Sequence, residues 1–121
     1  MTENQIQREI KDGLNKLEGV TIYRNNVGVV KSGGRWIRFG LCKGSSDLIG
    51  YAEVEITPDM VGETVAVFTA LEVKKPGGEV SDDQIRFIGE VIMAGGIGKI
   101  VTSLEEAENE IDNYREWVIW P

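Results

Sequence analysis

The apolar run from Glu63 to Lys74 constrains this chain most, because of how it ends. Val65, Ala66, Val67, Phe68, Thr69, Ala70 and Leu71 read as a buried strand, the strongest in the sequence. The run then sets Glu72 and Lys74 around a single valine and breaks at Pro76-Gly77-Gly78. Residues i and i+2 of a strand face the same way, so a carboxylate and an ammonium project together from its last turns. Taken alone, Glu-x-Lys is a common pattern of a solvated face.

Other segments arrange themselves around that strand. Ile6, Ile10, Leu14 and Leu17 recur at helical spacing and predict an amphipathic helix over residues 3 to 17, with Thr2 as N-cap and Gly19 as terminator. Extended pieces follow at Val20 to Asn25, Val27 to Val30 and Arg35 to Leu41, the last two joined through Lys31-Ser32-Gly33-Gly34. Asp47 to Glu55 reads as a strand and Thr57-Pro58-Asp59 as a turn. Ser81-Asp82-Asp83-Gln84 is a capping box opening a helix from Asp83 to Ala94, stopped by Gly95-Gly96. A short strand, Ile97 to Val101, precedes a third helix capped by Ser103 and running from Leu104 to about Trp117. This order predicts a single α/β or α+β domain over residues 1–121, with one central sheet.

Composition removes several chemistries. The chain has no histidine, which excludes Ser-His and Cys-His nucleophile systems, His-ligated zinc and His general bases. Cys42 is alone, so no intrachain disulfide forms, and a reducing cytoplasmic location is expected. No apolar run approaches the roughly 20 residues of a membrane span, and Met1 to Gln5 lacks a signal-peptide core. The net charge is −7, which argues against nucleic-acid binding by bulk charge. The distribution is uneven, however. Between Gly19 and Ser46 there is no Asp or Glu, whereas Arg24, Lys31, Arg35, Arg38 and Lys43 all lie there. Such a segment reads either as a solvated hairpin or as an anion-binding surface. The acidic excess gathers elsewhere, notably from Glu105 to Glu110.

The remaining chemistry rests on carboxylates, lysine and amides. Asp47 opens its own strand, and two neighbouring strands would bring it beside Glu72. Paired carboxylates favour a hard cation, and oxygen ligands suit Mg²⁺ or Mn²⁺. The Val73 carbonyl offers a further oxygen. Lys74 would then orient or help deprotonate a bound water, or stabilise charge developing on a phosphate.

At this point the sequence resembles a stand-alone VRR-NUC domain, a branch of the PD-(D/E)XK nuclease superfamily. The resemblance is carried by RNNVG (Arg24 to Gly28), GRWIRFGLCKGSSDLIG (Gly34 to Gly50), LEVKKPGG (Leu71 to Gly78), SDDQIRFI (Ser81 to Ile88) and AGG (Ala94 to Gly96). Their order and spacing are specific although no single piece is. Glu105 to Pro121 adds nothing to the match. The resemblance implies a restriction-endonuclease-like fold, with a central mixed β-sheet flanked by helices. Small members of this kind typically come from phages and bacteria, which would place the protein in a host cytoplasm.

It also implies roles. Asp47 would be the first acidic metal ligand, here preceded by Ser46 rather than proline; Glu72 would be the second, and Lys74 the catalytic lysine. Gln84 would sit beside the lysine, positioning it or the attacking water, or serve simply as the capping-box partner of Ser81. A first-helix carboxylate is expected as well. At about 100° per residue, Glu3 falls within the Ile6, Ile10, Leu14 and Leu17 face, whereas Glu9 is displaced by about a quarter turn, so Glu3 is the better candidate.

The implied activity is Mg²⁺- or Mn²⁺-dependent hydrolysis of DNA phosphodiesters, with branched substrates such as four-way (Holliday) junctions in view. DNA repair is one of the settings this would serve. Arg24, Asn25, Asn26, Lys31, Arg35, Arg38, Lys43 and Ser46 are the candidate DNA contacts, mostly to phosphates. Asn25 reads equally as a turn former. Trp36, Trp117 and Trp120 read as core or interface aromatics, and the acidic third helix is expected to face away from DNA. A homodimer would match the symmetry of a four-way junction, its hints being Trp-Val-Ile-Trp at the C-terminus and the apolar hairpin region. Two rivals stand beside this reading: a catalytically silent nucleic-acid-binding module of the same fold, and an interaction protein for which Glu-Val-Lys is surface decoration.

Overall fold

Each α-helix among the described residues begins at a side chain that closes the helix's own first turn. A computed structural model describes residues 2–119, with side chains through residue 116. Helix α1 (Glu3–Leu14) starts where Thr2 Oγ1 accepts from the Gln5 N–H and Gln5 Oε1 accepts from the Thr2 N–H. Helix α2 (Asp82–Met93) repeats the device with Ser81 and Gln84. Helix α3 (Leu104–Ile119) uses Ser103 and Glu106, whose carboxylate also takes the Thr102 N–H and hydroxyl. The Trp117 side chain and Trp120, expected as interface aromatics, lie outside the described residues.

Among the described residues six strands pair in twos. Strands β1 (Val20–Arg24) and β4 (Leu48–Ala52) are antiparallel, with Arg24 opposite Leu48 and Val20 opposite Ala52. Strands β2 (Gly28–Ser32) and β3 (Arg35–Phe39) form a hairpin closed by Gly33 and Gly34, both at positive φ (57° and 78°), as a two-residue turn of matching twist requires. Strands β5 (Thr69–Val73) and β6 (Ile97–Val101) run parallel, and α2 is the crossover that parallel pairing needs. Helices with both parallel and antiparallel pairs make a mixed α/β fold. Among the described residues the strands form three separate two-stranded sheets, where the sequence reading expects one central sheet, because hydrophobic alternation marks strands but not which of them pair.

The chain gathers into two compact units, Met1–Glu55 and Ile56–Pro121. In the first, Asn15 caps α1 and stitches it to β1, donating to the Ile22 carbonyl (3.0 Å) and accepting from the Ile22 N–H (2.7 Å). This cap ends α1 three residues before the expected Leu17, which lies in tighter turns beyond it. Gly50 lets the β1 backbone approach: a Cβ there would fall 1.9 Å from the Thr21 carbonyl oxygen. The apolar face anticipated for α1 is not its covered one. Ile6 and Ile10 are 42% and 45% exposed, while Gln7, Lys11 and Leu14 are half-buried. Packing against β1 uses the neighbouring face, which hydrophobic periodicity alone does not report.

In the second unit the core lies between α2 and β6, where Ile88, Val91, Ile97 and Val101 are buried. Burying each such side chain stabilises by about 1.5–3 kcal/mol. A Schellman turn ends α2, with Gly95 N–H on the Ile92 carbonyl and Gly96 N–H on the Val91 carbonyl. Tyr114 Oη ties α3 to that turn by donating to the Gly95 carbonyl at 2.8 Å. Strand β5 is shorter than the expected Glu63–Lys74. Its partner β6 is five residues long, the ladder's last bond at that end is Ile97 N–H to the Phe68 carbonyl, and Val65 is exposed. No helix among the described residues is long and apolar enough to cross a membrane.

Candidate active site

β5 presents alternating faces. Thr69, Leu71 and Val73 are exposed, and Ala70 and Glu72 are half-buried. The Lys74 N–H bonds the Val101 carbonyl at 3.0 Å, so the extended geometry continues one residue past the strand. Glu72 and Lys74 therefore share the sheltered face. Lys74 Nζ lies 3.5 Å from Glu72 Oε1, with the two side chains 21% and 30% exposed.

Gln84 reaches the same oxygen from α2. Its Nε2 donates to Glu72 Oε1 at 2.8 Å. The capping box determines which end of the amide points there. Gln84 Oε1 accepts from the Ser81 N–H at 3.0 Å, so the NH₂ must face the carboxylate. Gln84 thus closes the capping box, as one reading expects, and its amide also donates to the Glu72 carboxylate. It meets Lys74 through Glu72, not directly.

Among the described residues both polar contacts of Glu72 fall on Oε1, which leaves Oε2 as the oxygen to offer a cation. A carboxylate oxygen with the Val73 carbonyl nearby in the chain is a hard donor set, suited to Mg²⁺ or Mn²⁺. Among the described residues, no group of three or more acidic, His or Cys side chains gathers into a ready-made cage. What this unit supplies by itself is one carboxylate, a lysine and an oriented amide.

In the first unit, Asp47 immediately precedes β4 and is exposed. Its carbonyl accepts from the Asn25 N–H at 2.8 Å. The Asn25 side chain holds the whole approach to it. Nδ2 donates to Ser45 Oγ (2.7 Å) and to the Ser46 carbonyl (2.9 Å), and Oδ1 accepts from the Leu41 N–H (2.9 Å). Ser45 Oγ in turn closes on Cys42, donating to its carbonyl at 2.6 Å. Asn25, expected at the DNA surface or in a turn, spends its amide on the loop that delivers Asp47. Ser45 was not singled out from the sequence. Its signal was the Lys43-Gly44-Ser45-Ser46 turn composition.

Helix α1 adds a cleft that sequence reasoning missed, lined by Gln7, Arg8, Lys11, Arg24 and Leu48 among others. Glu3 lies one and two helical repeats of four from Gln7 and Lys11, on the same face. Glu9 instead lines an apolar groove with Ile6, Ile10 and Gly13. Of the other expected contacts, Asn26 is exposed and its carbonyl lies close over Gly40. Ser46 is held through its carbonyl. Lys31, Arg35, Arg38 and Lys43 are exposed on the hairpin and the loop after it. Among the described residues neither these four nor Arg24 forms an ion pair. Trp36, expected in a core or interface, is 71% exposed.

No curated protein and no solved structure matches this sequence. The VRR-NUC domain model matches residues 1–103, covering the first unit and the second through β6. With the greater part of the sequence inside that match, the chain belongs to the VRR-NUC domain family, a nuclease-type domain.

Proposed function

We propose that this protein is a metal-dependent DNA endonuclease that hydrolyses phosphodiester bonds in branched or otherwise structured DNA. The observation that carries this reading is the Glu72–Lys74–Gln84 cluster at the end of β5, an ammonium and an amide converging on one carboxylate oxygen within a nuclease-type domain. We read residues 1–121 as one nuclease domain, with Glu72 and the Val73 carbonyl of the second unit as oxygen ligands of Mg²⁺ or Mn²⁺ and with Asp47 and Glu3 as the candidate acidic ligands of the first. When bound, such an ion supplies Lewis acidity at the phosphate and a water that is easily deprotonated. Gln84 fixes Glu72 by its Oε1 and so orients Oε2. Lys74 balances the charge on Glu72 and extends an ammonium that orients the attacking water and stabilises the developing phosphate charge. Water attacks phosphorus in line, and the P–O bond opposite breaks.

Arg24, Lys31, Arg35, Arg38 and Lys43, which form no ion pair among the described residues, neutralise backbone phosphates, with Arg8 and Lys11 of the α1 cleft beside Arg24. A homodimer would present two such sites to a four-way junction. The lone Cys42 suits a reducing compartment such as a cytoplasm.

The test is cleavage of labelled single strand, duplex, flap and four-way junction with Mg²⁺, Mn²⁺ or EDTA, beside Lys74→Ala. Metal-dependent cutting that Lys74→Ala abolishes supports the reading. Tight binding without cutting by the wild-type protein would replace it with a silent binding module.

A further inference from the structure

The β2–β3 hairpin is exposed throughout its outer part, every residue from Lys31 to Gly40 included. Its two faces differ. Cross-strand partners share a face, so the register sets Val30, Ile37 and Phe39 on one side and Val29, Lys31, Trp36 and Arg38 on the other. The Phe39 ring is already used: a Cβ on Gly28 would fall 2.4 Å from its Cζ, so the ring lies over that glycine. Trp36 has no comparable cover. It stands opposite Lys31, whose Nζ lies 5.7 Å from the ring centroid, a cation–π contact that holds a 71%-exposed ring in place.

The surroundings select the occupant. The Gly19–Ser46 segment carries cations and no acid. A second copy of the chain docking here would bring one cationic hairpin against another. The complement is a polyanion. A duplex offers phosphates but keeps its base faces stacked inside, whereas an unpaired strand offers both phosphates and a π-face.

We propose that this hairpin binds unpaired DNA, with a base stacked on Trp36 while Lys31 and Arg38 hold the flanking phosphates. The proposal rests on DNA being the substrate and names the part of it that this unit grips, the single-stranded arm or the opened branch point. Stacking of this kind tolerates any base, so recognition is of strand structure and not of sequence.

The test measures binding of labelled oligothymidylate and of a duplex of equal length by anisotropy, in EDTA so that nothing is cut. Trp36→Ala is expected to weaken single-strand binding about tenfold and to change duplex binding less than about twofold. Trp36→Leu keeps apolar bulk without a π-face and should lose as much, whereas Trp36→Phe should recover most of the affinity. Lys31→Ala and Arg38→Ala should each lower the salt slope by about 0.7. Wild-type affinity in Trp36→Leu, at an unchanged thermal midpoint, overturns the proposal. So does a Trp36→Ala protein that keeps its DNA affinity but sediments as a smaller species, which would make the face a contact between copies. Binding is read without metal, so a protein that never cuts but shows this pattern loses the nuclease reading alone. One that cuts without the pattern loses the hairpin proposal alone.

Discussion

Gln84 joins two tasks that substitutions can separate. It accepts the Ser81 N–H to close the first turn of α2 and donates to Glu72 Oε1. Gln84→Glu keeps the acceptor for the cap and replaces the donor by a second carboxylate. The expected outcome is helix stability within about 1 kcal/mol of the parent, read by thermal denaturation, with cleavage falling at least about tenfold. Gln84→Ala should lose both, including roughly 1 kcal/mol for the box. If Gln84→Glu cuts as fast as the parent, the amide is a cap and nothing more. For Lys74→Ala, the proposed action of its ammonium on the reacting phosphate predicts a drop in rate of about 10²–10⁴, with DNA affinity in EDTA within about threefold.

At the scale of the element, the loop from Leu41 to Asp47 is held by one side chain from the end of β1. Asn25→Ala removes three hydrogen bonds and leaves the Leu41 N–H and the Ser46 carbonyl without that partner. A loss of about 1–3 kcal/mol is expected, together with faster proteolytic nicking near Lys43. An unchanged nicking rate would show that the loop holds itself. Gly50→Ala tests the ladder that carries Asp47. With its Cβ placed 1.9 Å from the Thr21 carbonyl oxygen, β1 and β4 must separate locally. Destabilisation should reach about 3 kcal/mol or more, and a silent substitution would argue against this register. These contacts were only partly legible beforehand. The Lys43-Gly44-Ser45-Ser46 composition favours a turn that the sequence reading does not draw, and that Asn25 closes it could not be read from two sites 20 residues apart. Likewise the Glu63–Lys74 run looked uniformly strand-like, and only the five-residue length of β6 decided that Thr69–Val73 would pair.

For the whole molecule, charge and metal make the predictions. A net charge of −7 coexists with an acid-free basic segment, so association should be strongly screened by salt. With five cations in that segment that form no ion pair among the described residues, a log–log salt slope of about −3 to −5 is expected on duplex DNA. A slope near zero would remove the basic segment from binding. Divalent metal should raise the thermal midpoint of the wild-type protein, by linkage worth about 2.7 kcal/mol at 100 times Kd. Glu72→Gln should abolish the rise, because the amide keeps the shape and loses the charge. A rise that survives the substitution would place the ion elsewhere.

What the residues determined on their own was local. Thr2 to Gln5, Ser81 to Gln84 and Ser103 to Glu106 each close a helix within one turn, and Gly33, Gly34 and Gly95 supply the positive φ values their turns need. The Glu72–Lys74 pair followed from strand alternation alone, since a period of two leaves no choice of face. Tertiary structure decided the rest. It chose the Gln7–Lys11–Leu14 side of α1 over the more apolar Ile6–Ile10 side. It turned the Gln84 amide toward Glu72, committed Asn25 to the Asp47 loop and left Trp36 in the open. Capping and turn energies depend on neighbours within about four residues and are written in the local sequence. Which face is covered, and which amide finds which partner, depends on segments far apart in the chain that meet only once the strands have paired.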